Sequence, residues 1–156
     1  MENRSNAVVA AGSRPATASA SSLRKHRQIV RSAPRKDLQV GSMPRTNVLV
    51  VGTPEATRIV VDMLRLDLRG PVVRWRAGQP LELPAPDGAA TLVLENLARL
   101  TNDEQFRILR WLDEVRGKIR VVSTTGVPIW PRVRSGEFNE VLYYRLNTVF
   151  VDVGSI

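Results

Sequence analysis

The sequence of 156 residues contains no cysteine and a single histidine, His26. The missing cysteines exclude disulfides, thiolate zinc sites and cysteine nucleophiles. One histidine excludes clusters of histidine ligands and a Ser-His-Asp triad. Aromatic residues make up only 5% of the chain. No apolar run approaches the roughly 20 residues that cross a bilayer. The sequence therefore predicts a soluble, cytoplasmic protein with no membrane partner.

Acidic residues are scarce in the first part of the chain. Residues 1–45 carry nine basic side chains against Glu2 and Asp37, whereas the remainder holds 14 basic and 13 acidic residues. Because this segment has no sustained apolar period, we expect a disordered basic tail. Either it binds nucleic acid without sequence preference, through phosphates, or it is a solubilising spacer. Organellar transit peptides share this composition.

Residues 46–156 have the pattern of one α/β domain. Compact apolar runs of the buried-strand type occur five times, at 46–52, 71–76, 89–95, 119–124 and 148–153. Segments with helical character lie between several of them, and such alternation implies parallel pairing and a three-layer sheet. The alternative, a receiver-like sheet, lacks the acidic pair expected after its first strand.

Two helices can be placed from their apolar spacing. After the first strand, Ile59, Met63, Leu64 and Leu66 fall near helical spacing. The second helix is NDEQFRILRWLDEV, which follows a capping box of Thr101 and Glu104. The core face expected of this helix consists of Phe106, Leu109, Trp111 and Leu112. The segment GEFNEVLYYRL has helical potential, and Gly78–Asp87 is predicted to be an irregular connection.

Two stretches of the domain resemble a known family. The segment GEFNEVLYYRLNTVFVDV is similar to G-x-F-R-x-D-L-Y-Y-R-L-N-V-V in the AAA+ domain of sigma-54-dependent transcription activators. The segment DGAATLVLENLARLTNDEQFRILRWLDE resembles G-G-T-L-F-L-D-E-I-x-x-L-x-x-x-x-Q-x-x-L-L-R-x-L-Q-E of the same family. The resemblance covers roughly residues 46–153 and implies a P-loop ATPase sheet, with ATP and magnesium as cofactors where the site is intact.

The resemblance places a phosphate loop at VLVVGTPEATRIVVDML, with Gly52, Thr57, Arg58 and Ile59 as the cofactor-binding positions. Such a loop needs glycines whose backbone N–H groups turn inward, and a lysine for the outer phosphates. Here Glu55 and Thr57 stand at glycine positions and Arg58 at the lysine. Read without the family, Thr53-Pro54-Glu55 is an ordinary helix start with an N-cap, a proline and an acid. We expect a degraded loop.

The family's metal and water residues are also altered. Glu95 stands where the resemblance implies a magnesium-supporting aspartate, and it retains a carboxylate that can reach a magnesium shell. Asn96 stands at the catalytic glutamate, and an amide cannot accept a proton as a carboxylate does. The simpler interpretation is that Asn96 ends the strand and satisfies backbone groups in the loop.

A third set of positions lies in the C-terminal segment. Arg145 matches one of the two arginines that act across a subunit interface in the family, whereas Asn139 replaces the other. The alternative role for Arg145 is a surface salt bridge. Tyr143 and Tyr144 are either stacking groups or part of the core. Together with Arg145 they form the face that we expect to contact an intact activator.

Two deletions distinguish the chain from the family. Gly78–Asp87 is too short for the helix and the G-A-F-T-G-A loop that contacts sigma-54. The sequence ends just after the fifth strand, so we expect no helical lid over adenine. Three functions remain open: a non-catalytic regulatory module pairing with intact relatives or itself, an ATP-binding protein with weak or no hydrolysis, and a nucleic-acid binder acting through its tail.

Overall fold

A computed structural model describes residues 46–65, 70–88 and 90–154. The predicted tail at 1–45 lies outside these residues. Within them, no helix is long and apolar enough to cross a membrane. In chain order the elements are β1 (Val48–Val51), α1 (Pro54–Arg65), β2 (Val72–Arg76), β3 (Thr91–Glu95), a short 3-10 helix (Leu97–Arg99), α2 (Asn102–Val115), β4 (Arg120–Thr125), α3 (Trp130–Arg134), α4 (Glu140–Leu146) and β5 (Val149–Asp152).

The five strands form one parallel sheet in the order β2-β3-β4-β1-β5. Val48 of β1 pairs with Val122 of β4 on one side and with Val149 of β5 on the other. Strands β1 and β4 are buried along their whole length, as expected for parallel strands covered on both faces. The predicted α/β fold with five parallel strands is confirmed.

Helices cover both faces of the sheet, giving the predicted three layers. One core joins α1 to one face through Val60 and Leu64, which pack with Val50 of β1. The larger core joins α2 and α4 to the opposite face. Along β1 and β3, successive side chains alternate between these two cores, as the pleat requires, whereas Phe150 and Asp152 of the edge strand β5 are exposed.

Helix α1 buries a different stripe from the one that its sequence suggested. Leu64 is buried as expected, together with Val60 and Val61, but Met63 is 39% exposed. Ile59 is half-buried, and Leu66 lies outside the described residues. The helix predicted from this spacing is present, and packing on the sheet buries Val60, Val61 and Leu64 rather than Met63.

Helix α2 also departs from its predicted core face. Trp111 and Leu112 are buried and Leu109 is half-buried, but Phe106 is 58% exposed. The neighbouring Gln105 is buried in its place and is fully hydrogen-bonded. The predicted capping box is present: Thr101 Oγ1 accepts from the Glu104 amide, and the Glu104 carboxylate accepts from the Thr101 amide.

The connection between β2 and β3 is held against the larger core by two buried tryptophans. Trp75 Nε1 donates to the carbonyl of Pro80 at 3.0 Å, and Trp111 Nε1 donates to the carbonyl of Pro84 at 2.8 Å. Leu81, between the two, is buried. Residues 78–88 form no helix or strand, as predicted. Residues 78–88, which we call the strap, therefore lie along the body of the domain.

Candidate functional site

A cavity of about 310 Å³ lies at the carboxyl ends of β1, β3 and β4, beside the start of α1. Ligands of open parallel sheets bind in such crevices. The cavity gathers most of the residues that the sequence singled out, together with two arginines of β2. Its lining residues are Gly52, Pro54, Glu55, Thr57, Arg58, Val61, Arg74, Arg76, Glu95, Asn96, Thr124, Thr125 and Gly126. Ile59 and Arg145 are not among them.

The turn between β1 and α1 is closed by the helix itself. Helix α1 begins at Pro54, and the hydroxyl of Thr53 accepts from the Ala56 amide at 3.3 Å. The carbonyl of Thr53 accepts from the Thr57 amide at 2.9 Å, so that N–H also lies in the helix. The Thr57 side chain is buried and donates to the Pro54 carbonyl. The N-cap and proline start predicted for this segment are therefore present.

Gly52 is required by close packing beside this turn. A Cβ atom at position 52 would lie 2.4 Å from Cγ2 of Val153. The Gly52 amide donates to the carbonyl of Thr125 at 3.0 Å, so it ties β1 to the end of β4. Gly52 thus serves the contact between neighbouring strand ends.

Glu95 at the end of β3 is held by two arginines. Arg74 Nη1 donates to one carboxylate oxygen at 2.9 Å, and Arg76 Nε and Nη2 reach the other at 2.9 Å and 2.8 Å. Arg74 also pairs with Asp62 of α1 at 3.4 Å. Both oxygens of Glu95 are therefore engaged by guanidinium groups.

Strand geometry explains why this cluster forms. Arg74 and Arg76 are two residues apart on β2, so they share a face, and Arg76 lies opposite Glu95 in the parallel register. Neither arginine is among the site residues expected from the sequence. The signal was the R-W-R alternation, in which the buried Trp75 points into the core and the arginines point to the other face.

Asn96 follows directly and adopts a left-handed conformation, with φ 62° and ψ 49°. Asparagine tolerates this region better than most residues, and the strand ends here as the sequence suggested. The Asn96 side chain is exposed and makes no capping hydrogen bond to the 3-10 helix that follows. Its carbonyl, and not its side chain, accepts from the Arg99 amide.

Arg145 lies away from the cavity, on α4, where its guanidinium pairs with Asp113 of α2. Its carbonyl accepts from the side-chain amide of Asn47 at 2.9 Å. Asn139 is the N-cap of α4, and its side chain accepts from the Leu142 amide. The structure therefore gives both residues contacts within their own chain.

Three aromatic rings gather at α3 and α4. The ring centroid of Trp130 lies 5.6 Å from that of Tyr143 and 6.2 Å from that of Tyr144, and the two tyrosine rings are 5.4 Å apart. Tyr143 is half-buried against the larger core. Trp130 and Tyr144 are 41% and 57% exposed. We call Trp130, Tyr143 and Tyr144 the aromatic cluster.

Within residues 46–65, 70–88 and 90–154, carboxylates do not converge on a metal-binding group. No set of three or more such side chains in the described part of the chain could hold a metal ion. Around the cavity, Glu55 and Glu95 lie on different elements, and the carboxylate of Glu95 faces arginines. The guanidinium groups of Arg74 and Arg76 therefore lie where a bound metal ion would need oxygen ligands.

The domain is similar in fold to solved structures of larger proteins. NtrX from Brucella abortus in complex with ATP is 21% identical, with a TM-score of 0.63 over 82% of this chain and 35% of that chain. The ADP complex of NtrX is 19% identical, with a TM-score of 0.61 over 89% of this chain and 37% of that chain. This chain thus spans little more than a third of NtrX.

The P-loop NTPase domain of the sigma-54 transport activator from E. coli is 21% identical, with a TM-score of 0.52. That match covers 70% of this chain and 98% of that domain. No curated protein is significantly similar to this chain in sequence. The family model for the Sigma-54 interaction domain matches residues 38–156. The chain therefore belongs to the Sigma-54 interaction domain family.

Proposed function

We propose that this chain is a non-catalytic member of its family, a regulatory module that acts by contacting other proteins and does not hydrolyse ATP. The observation that carries the proposal is the closed turn between β1 and α1. A phosphate loop needs several free backbone N–H groups directed at the ligand. Here Pro54 has none, and those of Ala56 and Thr57 are bonded to Thr53.

The residues of the cavity also do not fit magnesium with ATP. Magnesium binds through carboxylate oxygens and water in near-octahedral geometry. Both oxygens of Glu95 are occupied by Arg74 and Arg76, whose positive charges repel a cation. Asn96 supplies no carboxylate to activate water. In this proposal the cavity therefore carries out no step of ATP hydrolysis.

The strap supports a second element of the proposal, that the chain does not by itself activate sigma-54 polymerase. The family resemblance implies a protruding contact loop between the second and third strands. In this chain the tryptophan N–H groups of Trp75 and Trp111 hold that connection against the domain. The chain would then regulate transcription by contacting other proteins. These partners would be intact activators of the same family or a second copy of this chain.

An ATPase assay on the full chain tests the proposal. We expect phosphate release with magnesium to equal that of a heat-treated control, because the phosphate cradle and the water-activating carboxylate are both lacking and each contributes orders of magnitude in rate. Hydrolysis above the control that Arg58→Ala abolishes would refute it. Binding of ATP without turnover, measured by calorimetry, would instead support the reading of an ATP-binding protein.

A further inference from the structure

The cavity beside the start of α1 contains a buried hydroxyl that has no partner among the described residues. Thr124 of β4 is 8% exposed and lines the cavity, and its hydroxyl makes no hydrogen bond to the described part of the chain. The other two threonine hydroxyls of the lining are paired. That of Thr57 donates to the Pro54 carbonyl. That of Thr125 donates to the Val127 carbonyl. Because buried polar groups are normally hydrogen-bonded, the Thr124 hydroxyl is available to a ligand.

Strand pairing places the Thr124 side chain on the face of the sheet that α1 covers. Thr124 lies opposite Val50 of β1 in the parallel register, and Val50 packs with α1. Residues paired across parallel strands point to the same face of the sheet. Thr124 therefore lies on the side where α1 contributes Arg58 and Val61 to the lining of the cavity.

Arg58 is the arginine of the cavity whose charge is not engaged by a carboxylate of the described residues. The other arginines of the lining, Arg74 and Arg76, both pair with Glu95. Arg74 also pairs with Asp62. Arg58 is exposed and forms no ion pair within the described residues. The cavity also lies beside the first turn of α1, where the helix dipole favours an anion.

The charges of the lining suit a ligand with a single negative charge. Three arginines and two glutamates line the cavity, so the lining carries at most one net positive charge. A polyphosphate would bring several negative charges next to Glu55 and Glu95, at a turn whose backbone N–H groups are already bonded. A monocarboxylate matches the charge, and a guanidinium can bind both of its oxygens.

We propose that the cavity binds a small organic monocarboxylate, whose carboxylate contacts Arg58 and the Thr124 hydroxyl and whose apolar part contacts Val61. Ligand pockets combine apolar lining with a few polar groups that orient the ligand. The volume of about 310 Å³ lies at the lower end of such pockets, which suits a molecule with few carbon atoms. This inference goes beyond the proposed regulatory role, because binding of a carboxylate neither requires nor provides ATP hydrolysis.

Titration of the full-length protein followed by nuclear magnetic resonance tests the proposal. The probes are hexanoate, its neutral amide hexanamide, which has the same shape, and inorganic phosphate. We expect hexanoate to shift the backbone amide signals of Arg58 and Thr124, with a dissociation constant on the order of 1 mM because the ligand has so few atoms. Hexanamide should bind about tenfold more weakly, since it offers no negative charge to Arg58.

Variants of the two polar groups assign the contacts. Arg58→Gln should weaken hexanoate binding about tenfold and leave hexanamide binding unchanged. Arg110→Gln is the matched control, because Arg110 is an exposed arginine of α2 that does not line the cavity. Thr124→Val removes the hydroxyl with little change in volume and should weaken hexanoate binding roughly fivefold. Thr124→Ser keeps the hydroxyl and should bind as the unaltered protein does.

Three outcomes would overturn the proposal. Equal affinity for hexanoate and hexanamide would show that the carboxylate is not recognised. Hexanoate affinity that neither Arg58→Gln nor Thr124→Val changes, or the absence of any shift at these two residues, would exclude the cavity as the binding site. Tighter binding of inorganic phosphate than of hexanoate, lost in Arg58→Gln, would make the cavity a phosphate site. The ATPase assay is a separate measurement, so the two proposals can fail independently.

Discussion

Gln105 is a buried polar side chain that joins the start of α2 to the segment before α4. Its Nε2 donates to the carbonyl of Leu100 at 3.2 Å and to that of Glu137 at 3.1 Å. Its Oε1 accepts from the Asn139 amide at 2.7 Å. Gln105→Leu keeps much of the volume and removes all three hydrogen bonds. We expect it to lower the free energy of unfolding substantially.

The size of the expected loss in unfolding free energy depends on how deeply each backbone group that loses its partner is buried. A buried backbone group left without a partner costs about 1–3 kcal/mol. The bond from Gln105 to the Leu100 carbonyl is fully buried, whereas the other two are partly buried and water can replace them in part. Together the three give a loss of about 3 kcal/mol. With a urea slope of about 1.5 kcal/mol per M, the unfolding midpoint should fall by roughly 2 M.

Urea unfolding followed by circular dichroism measures this loss. Asn102→Leu is the matched control, because it makes the same type of change at an exposed position one turn earlier on α2. It should leave the midpoint nearly unchanged. A loss below about 1 kcal/mol for Gln105→Leu, or equal losses for both variants, would refute the assignment of Gln105 as the bridge between α2 and the start of α4.

Two further changes test contacts around the cavity and the strap. Gly52→Ala should lower the free energy of unfolding by about 1–3 kcal/mol, because the added Cβ would lie 2.4 Å from Cγ2 of Val153. Thermal melting should show this as a lower Tm. An unchanged Tm would mean that Val153 moves aside freely. Trp111→Phe removes the N–H that holds the Pro84 carbonyl and should cost about 1 kcal/mol while making the strap more open to protease. Unchanged proteolysis would show that this bond does not hold the strap.

The order of elements was predictable because the short apolar runs of this chain can be buried in only one way, as strands covered on both faces. Four consecutive apolar residues at Val48–Val51 can be buried only if both faces of the strand are covered. The alternation of such runs with helices then allows few topologies. The start of α1 was equally local, since Thr53 and Pro54 carry their own capping chemistry.

The contacts that decide the site depend on register across the sheet. Nothing near Glu95 in sequence indicates that Arg74 and Arg76 reach it, because those residues belong to a strand paired only after folding. The expectation that Phe106 is buried is wrong for a related reason, since Gln105 is buried in its place. Periodicity selects apolar side chains for the core, but Gln105 is buried because three backbone groups from other segments require its amide.

The position of β1 in the sheet has a consequence for synthesis of the protein. Val48 needs Val122 and Val149 as neighbours, so its strand cannot be completed until about 100 further residues have been made. At about 5–20 residues per second, β1 waits roughly 5–20 seconds on the ribosome as an unpaired apolar segment. Charged residues that flank such a segment discourage intermolecular pairing, and Arg45 stands three residues before Val48. The basic stretch upstream can thus keep the nascent chain from aggregating before the sheet closes.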